Sequence, residues 1–287
     1  MENVVEDVLR EVLLTYATAY VPLCALACKK YKRLVVRHVQ GQYGPCSLRY
    51  IGWVLGEYRL ASLRYIGWEG RVELLRWIQE KRLPRRDWSV VERNTLLMAA
   101  ARGGHVELVR VCVEEWGAER VEQMMLTAAQ EGHVEIVKLS HTEWRQTNMD
   151  GVMANAASRG HEWLVRLCYV EWGAREVNWA MAAAAEGGHE RIVRLYHDEW
   201  NAGDVNWAMA AAAEGGHEHI MRLCHDAWNA TDVDSAMWGA ARGGHIHLVR
   251  VCHDEWGARG VVLAGQYADT EGHTEIVELC RAWDATV

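Results

Sequence analysis

Histidine lies between cysteine and aspartate at two places in this chain, a combination that could bind a metal ion or activate a nucleophile. The two triplets are Cys224-His225-Asp226 and Cys252-His253-Asp254, and the chain holds 14 His in all. A zinc site needs several ligand atoms within about 2.3 Å of one ion, and a nucleophile needs a base beside it. Either chemistry depends on how the elements that carry these residues pack together.

The histidines follow a fixed spacing. A Gly-His pair recurs at a step of 28 residues, with histidines at His105, His133, His161, His189, His217, His245 and His273. Tryptophan keeps the same step at Trp116, Trp144, Trp172, Trp200, Trp228 and Trp256, and the seventh comes one residue early at Trp283. A fixed period predicts stacked copies of one structural unit. The stretch VNWAMAAAAEGGHE even occurs twice, at 177–190 and 205–218.

Stacking argues against a shared metal site. Packed helices lie about 8–10 Å apart, so equivalent histidines in successive units are too far apart to bind one ion. We therefore interpret each Gly-His as a helix start whose hydrogen bonds tie the turn. No catalytic residue, metal or cofactor is expected, and the chain is predicted not to be an enzyme. Five cysteines share one register and should be buried free thiols: Cys112, Cys168, Cys224, Cys252 and Cys280.

Each unit reads as two helices. Apolar residues follow the histidine at helical spacing, as in Ile192, Val193 and Leu195, and an alanine-rich stretch precedes it. Predicted N-caps of the first helix are Asp150, Asn178, Asn206 and Asp234. Glycine pairs end that helix, and turn formers follow the tryptophans at Gly117, Gly173, Asn201, Asn229 and Gly257. On the second helix, Arg194 and Arg222 are expected to pair with Asp198 and Asp226, four residues later.

The repeats resemble ankyrin repeats. The strings GHVEIVKL at 132–139 and GGHEHIMRLCHDAWNA at 215–230 are similar to the second ankyrin helix, with its Gly-His-x-x-Ile-Val-x-x-Leu and the following Gly-Ala. The ankyrin unit is longer, begins with Thr-Pro-Leu-His and carries a projecting hairpin, whereas this chain has neither feature. The resemblance implies an all-α solenoid of stacked helix pairs that lack most of the β-hairpin fingers, and a protein-binding function.

The front of the chain differs in charge and pattern. Residues 1–90 hold 15 Lys+Arg against 9 Asp+Glu, whereas residues 91–287 hold 16 against 30. The basic excess is spread too thinly to favour a nucleic-acid partner. The segment Cys28-Lys29-Lys30-Tyr31-Lys32-Arg33-Leu34 resembles the end of an F-box, although the usual opening Leu-Pro is missing. That resemblance implies contacts with a Skp-type adaptor of a cullin ubiquitin ligase through Leu9, Leu13, Pro22, Leu23, Leu26 and Tyr31.

Two readings of residues 4–35 stay open. The segment is either a working F-box or a helical cap that shields the first repeat. The predicted domains are accordingly a helical cap or F-box-like segment at 1–46, degenerate repeats at 47–90 and seven 28-residue repeats at 91–287. The pairing of an F-box-like segment with ankyrin repeats is similar to proteins of large DNA viruses. The longest uncharged run, Val12 to Cys28, is too short for a membrane span, so we expect an intracellular, cytoplasmic protein, in the host cytoplasm if viral.

The predicted function is protein–protein interaction, either as a substrate adaptor of a Skp-cullin ligase or as a structural scaffold. A ligand face should use positions that vary between the repeats while the framework stays fixed. On the first helices these positions are Thr95, Gln123, Thr127, Asn155, Trp179, Trp207, Ser235, Trp238 and Tyr267. Exposed aromatic residues among them are the expected anchors.

Overall fold

The computed structural model describes residues 88–285 and five single positions before them, Arg64, Gly67, Trp68, Gly70 and Val72. The predicted segment 1–46 and nearly all of 47–90 lie outside the described residues. Residue contacts divide the chain into two units, Met1–Arg120 and Val121–Val287. The first of the seven predicted repeats belongs to the first unit, and the other six belong to the second.

The described part of the first unit holds one helix pair. Helix α1 is Val90–Gly103, and α2 is Val106–Arg110, which continues directly as a π-helical turn over Val111–Glu115. Ser89 begins α1 with a capping box, because its hydroxyl accepts the Glu92 N–H while the Glu92 carboxylate accepts the Ser89 N–H at 2.9 Å. Gly104 ends α1 with a left-handed φ of 75°.

The second unit repeats this pair six times between residues 121 and 285. Its helices are α3 Val121–Gln130, α4 Val134–Thr142, α5 Met149–Ser158, α6 Glu162–Val170, α7 Val177–Glu186, α8 Glu190–Arg194, α9 Val205–Glu214, α10 Glu218–Arg222, α11 Val233–Arg242, α12 Ile246–Arg250, α13 Val261–Glu271 and α14 Thr274–Asp284. Helices α8, α10 and α12 continue as π-helical turns over Leu195–Glu199, Leu223–Ala227 and Val251–Glu255. Residues 88–285 contain no strand, and the successive helix pairs confirm the prediction of an all-α, ankyrin-like helical-repeat solenoid.

The first helices of successive pairs pack directly on one another, α5 on α7, α7 on α9, α9 on α11 and α11 on α13. Alanine makes this close approach possible, since Ala184, Ala185, Ala212 and Ala213 are fully buried. The glycines that follow α7, α9 and α11 are also needed, because an added Cβ would meet a backbone carbonyl of the preceding repeat. A Cβ on Gly215 would lie 2.1 Å from the Glu186 carbonyl oxygen of the preceding repeat.

The turns between the helices use left-handed residues where the sequence predicted them. The residue after each of the first six repeat tryptophans, Trp116 to Trp256, has a positive φ, including Asn201 at 54° and Asn229 at 58°. Arg145 fills the same position with a φ of 52°, although arginine gives no signal for such a turn. The second glycine of each Gly-Gly pair, such as Gly216 at 80°, ends the first helix.

The histidines bridge neighbouring repeats. Each lies at the N-cap position of a second helix, but its side chain does not cap that helix. The ring nitrogen Nε2 instead lies 2.9 Å from the Gln130 carbonyl in His161 and 3.0 Å from the Glu214 carbonyl in His245, each in the preceding repeat. The backbone N–H of each histidine ties the turn, as His217 does to Ala212 at 2.8 Å.

The predicted N-caps were wrong. Helices α5, α9 and α11 are capped two residues earlier, by Asn148, Asp204 and Asp232. The side chains predicted as caps lie within the first turn and accept backbone N–H groups from the loop of the next repeat. We call this set the acceptor ladder: Asp150, Asn178, Asn206 and Asp234.

The second helices carry a ladder of stacked rings. His197 stacks on Trp228 with ring centroids 3.9 Å apart, His225 stacks on Trp256 at 4.0 Å, and Tyr169 stacks on Trp200 at 4.0 Å. The recurrent tryptophans therefore join one repeat to the next.

The predicted Arg–Asp pairs do not form in these repeats. Arg194 and Arg222 pair with Glu190 and Glu218 on the preceding turn, at 2.7 and 2.8 Å. The Asp226 carboxylate instead contacts the adjacent His225 Nδ1 at 2.7 Å. In the first unit, Arg110 does pair with Glu114 four residues later, at 3.3 Å.

Candidate protein-binding site

A groove of about 270 Å³ crosses the first helices α7, α9, α11 and α13. The residues that form the floor of this groove are small, since they are alanine and glycine: Ala182, Ala183, Ala210, Ala211 and Gly239. Ala183 and Ala210 are partly exposed, whereas Ala182, Ala211 and Gly239 are buried beneath the groove. The repeat pattern therefore leaves a shallow apolar surface along the first helices.

Aromatic side chains rise from this floor. Trp179 and Trp207 occupy the same position of α7 and α9 and are 41% and 45% exposed, which is high for tryptophan. Tyr267 of α13 is 40% exposed. Trp238 of α11 is held in place, because its indole N–H donates to the Gly260 carbonyl at 2.9 Å and its ring lies 6.4 Å from the Tyr267 ring.

Charged side chains line the other end of the groove. Glu186, Glu214 and Arg242 occupy equivalent positions at the ends of α7, α9 and α11. Arg242 forms an ion pair with Glu214. Hydrogen bonding to Glu214 raises the pKa of the Arg242 guanidinium above its usual value, with a smaller contribution from the charge of Glu186.

Five of the nine predicted binding residues line this groove: Trp179, Trp207, Ser235, Trp238 and Tyr267. The other four lie elsewhere on first helices. The hydroxyl groups of Thr95 and Thr127 donate to the carbonyls of Val91 and Gln123, and the Asn155 amide donates to the Gly151 carbonyl. The predicted adaptor contacts Leu9, Leu13, Pro22, Leu23, Leu26 and Tyr31 lie outside the described residues.

Sequence reasoning missed the charged end of the groove. Glu186 and Glu214 lie seven residues after Trp179 and Trp207, which is two helical turns, so they share a face with the tryptophans. The spacing of seven residues in the sequence could therefore have identified both glutamates as groove residues. The alanine floor was missed because alanine also forms the buried contact between the helices.

In both Cys-His-Asp triplets the cysteine is buried, whereas the histidine and the aspartate contact each other at 2.7 Å. The Cys224 thiol is fully buried, and burial raises its pKa to about 12. The neighbouring His225 ring instead stacks on Trp256 and contacts Asp226. Within residues 88–285, no group of three His, Cys, Asp or Glu side chains is arranged to hold a metal ion. None of the helices in this part of the chain is long and apolar enough to cross a membrane.

Comparison with known proteins supports the similarity to ankyrin repeats. No curated protein matched the chain. A family model of the ankyrin repeat matches residues 92–123, which cover most of α1, all of α2 and the start of α3. The match and the stacked helix pairs make the chain similar to ankyrin-repeat proteins, whose repeats form protein–protein interaction domains.

Proposed function

We propose that the chain binds another protein in the groove across α7, α9, α11 and α13. The observation that supports this most directly is the exposure of Trp179 and Trp207 above an alanine floor. Two large indole rings that are nearly half exposed to water lose apolar exposure when a partner covers them. Tryptophan is also among the residues that contribute most to binding at interfaces.

The experiment replaces both tryptophans in the full chain. Trp179→Ala with Trp207→Ala should weaken partner binding by more than about tenfold, because each ring is expected to act as an anchor. Trp163→Ala is the matched control, since Trp163 is 59% exposed but lies on the second helix α6, outside the groove. Partners captured from cells and quantified by mass spectrometry are compared between the variants, with circular dichroism to verify folding. Equal capture by all three chains would contradict the proposal.

We further propose that the bound protein is a substrate recruited to a Skp-cullin ubiquitin ligase. The supporting observation is the F-box-like run at 28–34. Leu23→Glu and Leu26→Glu in the full chain should abolish binding to a purified Skp-type adaptor while leaving groove binding intact. If the unmodified chain does not bind the adaptor, the adaptor proposal is wrong, and a scaffold role without a ubiquitin link accounts for the repeats.

A further inference from the structure

The groove has two rows of side chains that differ in chemistry. The aromatic row consists of Trp179 and Trp207, near the starts of α7 and α9, and the acidic row consists of Glu186 and Glu214, at the ends of the same helices. Seven residues at 1.5 Å per residue separate the rows by about 10 Å along the helix. The alanine floor lies between them.

The acidic row is only partly neutralised. Arg242 pairs with Glu214, whereas Glu186 is exposed and pairs with no basic side chain of residues 88–285. One Arg against two Glu leaves the groove with a net charge of −1. The surrounding sequence strengthens this field, because residues 91–287 hold 30 Asp+Glu against 16 Lys+Arg.

From this arrangement we infer the chemistry of the partner, an inference that rests on the proposed protein-binding function. The groove binds an extended peptide segment in which a bulky apolar side chain contacts the aromatic row and a lysine or arginine contacts Glu186. A polyproline-type segment rises about 3.1 Å per residue and has three residues per turn. Two side chains three residues apart therefore lie on one side of it, about 9 Å apart, which matches the separation of the rows.

The test is a selection of random linear peptides on the full-length protein. Peptides that lose binding to the Trp179→Ala, Trp207→Ala chain are the groove-dependent set. These should be enriched in an apolar residue followed or preceded, three positions away, by lysine or arginine. Their affinity should fall at least about threefold in Glu186→Gln, as expected for a partly exposed ion pair.

Charge reversal gives the sharper result. In Glu186→Arg, the groove-dependent peptides should carry aspartate or glutamate at the same spacing. This variant should remain folded, because a basic residue suits the last turn of a helix. Glu171→Arg is the matched control, since Glu171 is an exposed residue just after α6 that does not line the groove, and it should leave the selected peptides unchanged.

The outcomes separate this inference from the function on which it rests. Groove-dependent peptides with no basic preference, or with the same preference in Glu186→Arg, would overturn the inference and leave the binding function standing. A selection with no groove-dependent peptides would also overturn the inference, whereas the binding function is overturned only by equal capture of partners by the unmodified chain and the Trp179→Ala, Trp207→Ala chain.

Discussion

The carboxylate of Asp234 accepts the backbone N–H of Arg259 at 2.6 Å, so that a side chain on the first helix of one repeat anchors the loop of the next. The same oxygen accepts the Gly260 N–H at 2.7 Å. Asp150 forms an equivalent pair of bonds with Arg175 and Glu176. The junction between repeats therefore depends on polar bonds as well as on apolar contact.

Removal of one acceptor should destabilise the stack. Asp234→Ala leaves two loop N–H groups without their acceptor, and the expected loss is about 1.5–3 kcal/mol in the free energy of unfolding. Asp234→Asn should lose less, because asparagine already fills this position at Asn178 and Asn206. Urea unfolding followed by circular dichroism measures both. Equal losses in the two variants would show that the charge, rather than the acceptor, holds the loop.

Addition of one methyl group at the junction should also be costly. Gly215→Ala brings a Cβ to 2.1 Å from the Glu186 carbonyl oxygen, so the neighbouring helix must shift. The expected cost is about 1–3 kcal/mol. Gly203→Ala is the control, since nothing lies within 4 Å of its added Cβ, and it should be neutral or slightly stabilising. Thermal unfolding measures the stability of both variants. A lower stability in Gly215→Ala alone indicates a steric effect, whereas an equal loss in both variants indicates a general effect of replacing glycine.

The Tyr196 hydroxyl should be dispensable. It is buried, no partner for it occurs within residues 88–285, and burial raises its pKa above the usual value. Tyr196→Phe removes an unsatisfied polar group, so stability should rise by about 1 kcal/mol. Tyr169→Phe, whose ring stacks on Trp200, should change stability little. A clear loss in Tyr196→Phe would show that the hydroxyl has a partner, such as a bound water.

The buried thiols should resist alkylation. Burial raises the pKa of Cys112, Cys168, Cys224 and Cys252 to about 12, so at about pH 8 only about one thiol in ten thousand is the reactive thiolate. Peptide-resolved mass spectrometry after iodoacetamide treatment should find these four residues unmodified in the native protein and modified in urea. Rapid labelling of any one in the native state would refute its burial.

Stability should fall in mild acid because of His217. Its pKa is lowered from an ordinary value near 6.5, first by burial and then by repulsion from nearby histidines including His219, although a hydrogen bond to the Glu186 backbone opposes this. As the pH falls, the histidine of the unfolded chain therefore takes up its proton before His217 of the folded chain does. The contribution of neutral His217 to the free energy of unfolding is complete above about pH 6.5 and is lost as the pH falls below that value. In His217→Gln, the free energy of unfolding should depend less on pH when it is measured by urea unfolding between about pH 7.5 and 5.5. An unchanged slope would exclude His217 as its source.

The period of 28 residues predicted the helix pairs because burial and turn chemistry are both visible along the sequence. Asn201 and Asn229 indicated left-handed turns, since asparagine tolerates that conformation. Arg145 could not be identified in this way, because its backbone is held by the surrounding repeat. The period also placed Trp179 and Trp207 on one face, where they line the groove.

Bonds between repeats were harder to predict. A polar residue near a helix start is compatible with a cap on its own helix or with a bond to the next unit, and Asp150 forms the second kind. The sequence contains no signal that separates these choices, because the distance to the next loop depends on how closely the helices pack. The π-helical turns, such as Leu223–Ala227, were missed for the same reason.

The acceptor ladder makes the array tolerant of changes in length. Asn178 and Asn206 lie within the two identical stretches 177–190 and 205–218. Deletion of residues 191–218 joins the first stretch to the chain that normally follows the second, so Asn178 meets the loop that Asn206 anchors in the longer protein. Recombination between the two copies can thus shorten or lengthen the protein by one whole repeat without creating a mismatched junction.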